Sequence, residues 1–196
     1  LDLVWIDFIN YLNGLNPPVQ LRVANTIACD GYGWCEFIQH ESCQSQDEIR
    51  LFYERSGAWL IIFHLLASSD MHYENIIASG SHPVPIDLET ILQASLPEFE
   101  FQNPAFGATN QAIDKIQNSV LTVGMLPAYT KSHKNKIFDM GGLNARSGAA
   151  IATDWKNINT NGMRWVQFQI NIDTNTNVPH IDSNYAKFGD YKSEFI

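Results

Sequence analysis

The sequence has little cysteine, little positive charge and no long apolar run. Its cysteines are Cys29, Cys35 and Cys43, an odd number in which no pair has the spacing Cys-x-x-Cys. This pattern argues against a disulfide framework and against a zinc knuckle. We therefore expect reduced thiols and a cytoplasmic protein.

The 12 Lys and Arg residues are outnumbered by 21 Asp and Glu residues, which gives a formal net charge of −9. A nucleic-acid partner is not expected, because binding to a phosphate backbone relies on clustered basic side chains. One small basic cluster consists of Lys131, His133, Lys134 and Lys136. Its polar surroundings predict a solvated loop, with attraction of an acidic peptide as the alternative.

The longest apolar run, Ala58–Ala67, is interrupted by His64 and has about half the length that a membrane-spanning helix needs. We expect no membrane span. The first residues include neither an initiator Met nor a basic signal-peptide region, so we expect the chain to be part of a larger protein. With 196 residues and 45% hydrophobic residues, it is long enough for one globular domain.

The spacing of apolar residues predicts two helices and a first hairpin. Residues Val4–Leu15 have the helical period and are followed by a Gly- and Pro-containing stop, and residues Asp47–Ser68 form a longer apolar face behind a polar start. Residues Leu21–Ala28 are typical of a strand, and Trp34–Ile38 resume the extended pattern after turn residues.

A second hairpin is predicted after the long helix, with strands at Ile76–Ala78 and Pro83–Asp87 and its centre near Gly80. In that register residue 75 faces residue 86 or 87. Asn75 and Asp87 are therefore expected at the same open end of the hairpin. The two prolines of the second strand predict an edge or irregular strand.

Three residues at this open end have the layout that phosphoryl transfer requires. Asp70 is followed five residues later by Asn75, and Asp87 follows after the hairpin. One carboxylate can accept the proton of an attacking hydroxyl, while an amide oxygen and a second carboxylate hold Mg²⁺ on nucleotide phosphates. His72 could donate to a phosphate oxygen or orient Asp70, and Glu89 adds another oxygen ligand. Taken singly, each residue is also explained as a cap, a turn former or an ordinary polar side chain.

Four segments together resemble the dehydratase domain of type II (LanM-type) lanthipeptide synthetases. They are Asp30–Ile38 (DGYGWCEFI), Phe52–Gly57 (FYERSG), Ser69–Gly80 (SDMHYENIIASG) and His82–Thr90 (HPVPIDLET). The clear resemblance covers residues 1–92. A looser one extends over Ser119–Pro127 and Gly141–Leu143.

The resemblance implies an α+β fold like the C-lobe of a kinase, closest to lipid kinases. Residues 1–92 would hold the hinge and the catalytic core, and residues 93–196 an irregular activation-segment region followed by a mixed α/β part. The implied enzyme phosphorylates Ser or Thr of a ribosomal precursor peptide with Mg-ATP and then eliminates the phosphate. The rest of the synthetase, including a zinc cyclase domain, is an implied partner.

The resemblance also assigns roles to individual residues. Asp70 and His72 would serve phosphoryl transfer, Asn75 and Asp87 would bind Mg²⁺, and Glu89 would act at the metal or in elimination. The hinge-like residues Glu36, Phe37 and Ile38 would contact the adenine of ATP through their backbone.

The chain departs from the family pattern in two respects. The phosphate-binding Lys of the family does not occur in Leu1–Gln20, and the Arg and Thr used in elimination are expected beyond Ile196. We therefore expect this chain alone to be inactive. The alternatives are a small phosphotransferase of the lipid-kinase or antibiotic-kinase type, and a non-catalytic peptide-binding module with the same fold.

Overall fold

The computed structural model describes residues 2–92, 107–131, 137–144, 148–172 and 175–195. Four α-helices in these residues are α1 (Asp2–Gly14), α2 (Gln46–Leu65), α3 (Gly107–Gln117) and α4 (Lys192–Phe195). The strands are β1 (Thr26–Cys29), β2 (Tyr32–Cys35), β3 (Ile76–Ser79), β4 (His82–Pro85), β5 (Tyr129–Lys131), β6 (Ile137–Asp139), β7 (Gly148–Lys156), β8 (Arg164–Ile172), β9 (His180–Ile181) and β10 (Asn184–Tyr185). Two short 3₁₀ helices cover Val120–Val123 and Phe188–Asp190.

Every sheet in the described part of the chain is a two-stranded antiparallel pair of neighbouring strands. Helices and small antiparallel hairpins are therefore mixed along the chain, which confirms the predicted α+β class. Within the same residues, no helix combines the length and the apolarity that crossing a bilayer requires.

Helix α2 is the centre of the core, and both its start and its buried face follow from the sequence. The hydroxyl of Ser45 accepts a hydrogen bond from the amide of Glu48 at 3.3 Å, and the Glu48 carboxylate accepts one from the amide of Gln44 at 2.7 Å. The first bond satisfies an amide that the first turn leaves without a helical partner, and the second attaches the residue before the N-cap to the helix. The prediction of a long buried helix is confirmed, with an end at Leu65 rather than Ser68.

An aromatic stack joins α1 to α2. The rings of Trp5, Trp59 and Phe63 lie with centroids 5.3 to 5.8 Å apart in near-parallel pairs. Such pairs contribute about 0.5 to 1.5 kcal/mol each beyond the area they bury. The indole nitrogen of Trp59 also donates to the carbonyl of Pro83 at 2.8 Å, so the same side chain attaches β4 to α2.

The first hairpin differs from the prediction in both strands: β1 begins at Thr26 rather than Leu21, whose backbone is bound by a side chain, and β2 spans Tyr32–Cys35 rather than Trp34–Ile38. Both the amide and the carbonyl of Leu21 are bonded to the side-chain amide of Asn13, at 2.9 and 2.8 Å. The backbone groups that would pair with a strand are occupied there, and pairing begins only at Thr26. Gly31, at φ 78°, supplies the turn to β2.

The second hairpin has the predicted register. Ser79 pairs with His82 and Ile76 with Pro85, with Gly80 in the turn at φ 55°. Pro83 and Pro85 alternate with the residues whose amides face β3, so their missing N–H groups lie on the outer side of β4. This explains why two prolines fit a four-residue strand.

Candidate functional site

The predicted catalytic loop, residues 69–75, lies between the end of α2 and the start of β3. Its start is attached to the segment that follows β4, because the Thr90 hydroxyl donates to the carbonyl of Ser69. The amide of Leu92 likewise donates to the carbonyl of Leu66 at 2.9 Å. The residues that precede β3 and the residues that follow β4 are thus hydrogen-bonded to each other.

Asp70 and Asn75 are in direct contact. The side-chain amide of Asn75 donates to the carbonyl of Asp70 at 2.8 Å. Asp70 itself has φ 66°, a left-handed conformation that few residues other than glycine adopt, and its side chain is 57% exposed. The loop therefore presents a carboxylate to solvent from a strained backbone position, a combination found often at functional sites.

His72 is oriented by the loop backbone. Its Nδ1 accepts a hydrogen bond from the amide of Glu74 at 3.1 Å. A neutral imidazole in this arrangement carries its proton on Nε2, which lies 3.6 Å from Oδ1 of Asp70. The proton-bearing nitrogen therefore lies beside the proposed base, a position from which it can bind an anionic oxygen.

Asp87 and Glu89 lie at the open end of the hairpin. The amide of Ile86 donates to the carbonyl of Asn75 at 3.1 Å, so Asp87 is one residue beyond the last bonded pair. Its Oδ1 lies 3.5 Å from the amide of Glu89, and both acidic side chains are exposed. The register brings these residues to the same end as Asn75, whereas convergence of Asn75 and Asp87 on one metal ion stays a prediction.

The donor set at this end suits a metal ion that keeps other ligands. No group of three or more His, Cys, Asp or Glu side chains placed to hold a metal occurs among the described residues. One amide oxygen and one or two carboxylates are too few to complete the coordination of a metal ion with protein ligands alone. They fit Mg²⁺, which is usually held by one or two carboxylates together with water and phosphate oxygens.

The hinge-like residues Glu36, Phe37 and Ile38 differ in their exposure and in the hydrogen bonds that they already make. The amide of Glu36 already donates to the carbonyl of Asn25 at 2.8 Å. Its carboxylate accepts from Asn25 and, at 2.8 Å, from Arg22; the backbone amide of Asn25 and the guanidinium lower the pKa of Glu36. Phe37 is 87% exposed and Ile38 is buried. Any backbone contact with adenine is therefore left to Phe37, Ile38 and the carbonyl of Glu36.

A small cavity of about 130 Å³ lies between the hinge-like hairpin and the open end of the second hairpin. It is lined by Asp2, Trp5, Ile6, Ala24, Thr26, Cys35, Pro85, Ile86 and Leu88. The residues on both sides of Asp87 thus share a cavity with the last residue of β2.

A larger cavity of about 700 Å³ lies between α1, α2 and α4. None of the predicted site residues lines it. Its walls are mainly apolar, and Glu54 and Glu194 are the acidic residues that line it. The smaller cavity is therefore the one that belongs to the candidate site.

The catalytic loop rests on two segments that are distant in the sequence. The amide of Met71 donates to the carbonyl of Val123 at 2.8 Å, and His72 forms a bridge with Gly141. Gly124, at φ 87°, approaches so closely that a Cβ would meet the Met71 amide nitrogen at 3.1 Å. The two segments of looser family resemblance thus support the loop directly.

Asn177 is a buried residue of the site region that the sequence did not single out. Its side-chain amide donates to the carbonyl of Gly142, in the second of these supporting segments, and to that of Asn144, which directly follows it. It lies in the Asn- and Thr-rich tail, where no spacing distinguishes it from its neighbours.

Of the predicted basic cluster, Lys131 ends β5, and the other members lie outside the described residues.

Comparison with known proteins matches the whole chain to one family. The family model, described as a domain of unknown function (DUF4135), matches residues 1–196. The lacticin 481/lactococcin biosynthesis protein LcnDR2 of Lactococcus lactis subsp. lactis is 33% identical over 105 residues. That alignment covers 54% of this chain and 11% of the relative, so the chain spans a small part of that protein. Both matches support the resemblance that the sequence motifs predicted.

Proposed function

The chain belongs to the DUF4135 family, and from this premise we propose that it carries the phosphoryl-transfer site of an ATP-dependent dehydratase in lanthipeptide biosynthesis. The observation that carries the proposal is the contact geometry of Asp70, His72 and Asn75 beside the open end of the second hairpin. The fold around it would be a kinase-like C-lobe.

In the proposed reaction, the hydroxyl of a precursor-peptide Ser or Thr attacks the γ-phosphorus of ATP, and ADP leaves. Asp70, whose side chain is exposed on the loop, accepts the proton of the hydroxyl. The Nε2–H of His72 stabilises a phosphoryl oxygen. Loss of the α-proton and of phosphate then leaves a dehydrated residue, the step in which Glu89 is proposed to assist.

The second requirement is the placement of the nucleotide. Bound Mg²⁺ would neutralise phosphate charge, with Asn75 and Asp87 as its protein ligands. Because the Nδ2 of Asn75 donates to the carbonyl of Asp70, its Oδ1 remains for a cation. The adenine would occupy the cavity between β2 and Leu88, next to Cys35; Phe37 and Ile38 follow in the sequence but do not line this cavity.

The three cysteines provide a direct test of nucleotide binding. Cys35 lines the cavity, Cys29 is exposed at the other end of the same hairpin, and Cys43 is buried. Burial, with a smaller contribution from Glu48, raises the pKa of Cys43 to about 11, so its thiol should react slowly under all conditions. Mg-ATP should slow alkylation of Cys35 several-fold while Cys29 reacts at an unchanged rate.

The experiment follows iodoacetamide labelling of each cysteine by peptide mass spectrometry, with and without Mg-ATP, in the full-length protein. The Asp87→Asn variant should lose the protection of Cys35. Equal labelling of Cys35 at saturating Mg-ATP would refute the nucleotide site.

Product analysis separates the proposal from its alternatives. Incubation of the full-length protein with Mg-ATP and a precursor peptide should give a phosphorylated intermediate followed by loss of water. Phosphopeptide that never loses phosphate would favour a phosphotransferase. Peptide binding with neither product nor protection of Cys35 would favour a non-catalytic module.

A further inference from the structure

Asn177 is fully buried in the turn formed by residues 175–178. Its Nδ2 donates to the carbonyl of Gly142 at 2.9 Å and to that of Asn144 at 3.0 Å. Its Oδ1 is buried without a hydrogen-bond partner. Turning the amide over would direct that oxygen at two carbonyl oxygens, so the donors determine the orientation.

The carbonyls that Asn177 binds belong to the segment beneath the catalytic loop. In this segment Gly141 bridges His72, and the amide of Gly142 donates to the carbonyl of Gly124 at 3.0 Å. Gly142 lies so close to the loop that a Cβ there would meet the carbonyl oxygen of Met71 at 2.5 Å. Any movement of residues 141–144 would therefore be transmitted to the loop.

The same turn also holds the strand that leaves the catalytic loop. The carbonyl of Thr176 accepts a hydrogen bond from the amide of Ala78, in β3, at 2.6 Å. Thr176 and Asn177, which are neighbours in one turn, thus bind both β3 and the segment that packs against the catalytic loop.

The two hydrogen bonds of Asn177 do more than stabilise its own turn, because both acceptors belong to residues that follow Gly141 beneath the catalytic loop. What the side chain adds is a fixed distance between the tail and residues 142–144.

We propose that Asn177 is a positioning residue for phosphoryl transfer. It fixes the position of residues 141–144 relative to the catalytic loop and, through them, the placement of Asp70 and His72. This inference rests on the proposed function. Asn177 touches neither nucleotide nor peptide in the proposed complex, so its loss should lower kcat rather than weaken binding.

The test compares Asn177→Asp, which keeps the shape and removes both donors, with Val178→Ala in the full-length protein. Val178 is the next residue and is equally buried, so its truncation also destabilises the turn but leaves the two hydrogen bonds. Phosphorylation of the precursor peptide would be measured by single-turnover mass spectrometry at a temperature where both variants are folded.

We expect Asn177→Asp to lower kcat about 10- to 100-fold, the effect of a sub-ångström to 1 Å displacement of a reacting group. KM and the protection of Cys35 by Mg-ATP should change less than about threefold, and Val178→Ala should keep kcat within the same margin. If Asn177→Asp does not fold, Asn177→Ser, which retains one donor, should show a smaller loss of kcat. An unchanged kcat in the Asn177 variants, or an equal loss in Val178→Ala, would overturn the inference.

Hydrogen exchange at the amides of Met71 and Tyr73 distinguishes failure of this inference from failure of the proposed function. These amides donate to the carbonyl of Val123, in the first supporting segment, and to that of Met140, directly before the second. They should exchange faster in Asn177→Asp than in Val178→Ala. If the wild-type protein phosphorylated no peptide, the proposed function would be wrong. If these amides exchanged at the same rate in Asn177→Asp as in Val178→Ala, the positioning role of Asn177 would be wrong.

Discussion

Replacing Gly142 with alanine tests how tightly the catalytic loop is held. The added Cβ would lie 2.5 Å from the carbonyl oxygen of Met71 and 2.8 Å from a terminal methyl of Ile76. Restoring a separation of 3.0 to 3.4 Å from the Met71 oxygen requires a shift of about 0.5 to 0.9 Å, since 3.0 − 2.5 = 0.5 and 3.4 − 2.5 = 0.9. The oxygen is backbone, so the loop or its support must move.

Two effects of different size should follow. Overpacking of a buried site costs about 1 to 3 kcal/mol, which should appear as a lower midpoint in urea unfolding. A displacement of up to about 1 Å at a reacting group costs as much as roughly 100-fold in rate, so phosphorylation should slow by about 10- to 100-fold. The rate loss is expected even where the variant is fully folded.

The chain offers two matched glycine controls. Gly14, at the end of α1, has no atom within 4 Å of a built Cβ, so Gly14→Ala should be neutral or slightly stabilising. A Cβ at Gly57 would collide with the backbone of Phe195 in α4, away from the loop. Gly57→Ala should therefore lower stability without slowing phosphorylation in the folded protein. If Gly142→Ala keeps the wild-type rate, the loop is not coupled to residues 141–144 and the reasoning fails.

Three further predictions concern other parts of the site region. Asp87→Asn should weaken Mg-ATP binding in isothermal titration, whereas Asp70→Asn should leave affinity nearly intact and slow phosphorylation about 10²- to 10⁴-fold; equal loss of binding would rule out the role of Asp70 as a base. Thr90→Val removes the hydroxyl bonded to Ser69 and should cost about 1 to 2 kcal/mol in urea unfolding, while the exposed Thr122→Val should cost less than about 0.5 kcal/mol. Burial, and then the nearby Arg55 and Arg22, lower the pKa of His82 from 6.5 to about 4. The unfolded chain therefore takes up the proton first, and about 1 to 2 kcal/mol of stability, after allowance for partial exposure, should be lost as pH falls from about 6.5 to 4. Denaturation of His82→Gln should lack this part of the pH dependence, and an identical pH profile in both proteins would contradict it.

The sequence predicted the parts of the fold that short-range physics determines. The helical period and the polar start of residues 46–48 located α2, and the turn at Gly80 fixed the register of β3 with β4. That register places Asn75 and Asp87 at the same end of the hairpin, and a local hydrogen bond joins Asn75 to Asp70. Each of these features depends on residues fewer than about twenty positions apart.

The parts that the sequence did not predict depend on hydrogen bonds from side chains to the backbone and on long-range contacts. The first hairpin begins late because the side chain of Asn13 binds Leu21, a bond that no strand propensity describes. The supports of the loop come from Val123 and Gly141, about 50 to 70 residues beyond it. Asn177 gave no signal at all, because a donor to two distant carbonyls has no characteristic spacing.

The conformation of Asp70 explains why the site needs such distant supports. A non-glycine residue in the left-handed region costs of the order of 1 kcal/mol and persists only where its surroundings enforce it. The Asn75 side chain bonds to the carbonyl of Asp70, and the carbonyl of Val123 accepts from the next amide, that of Met71. The first bond is local and holds the Asp70–Met71 peptide by its carbonyl oxygen alone, about which the peptide can still rotate. The second bond removes that freedom, because it fixes the plane of the Asp70–Met71 peptide. Placement of the proposed base is therefore determined jointly by the catalytic segment and by residues that the catalytic motif does not contain.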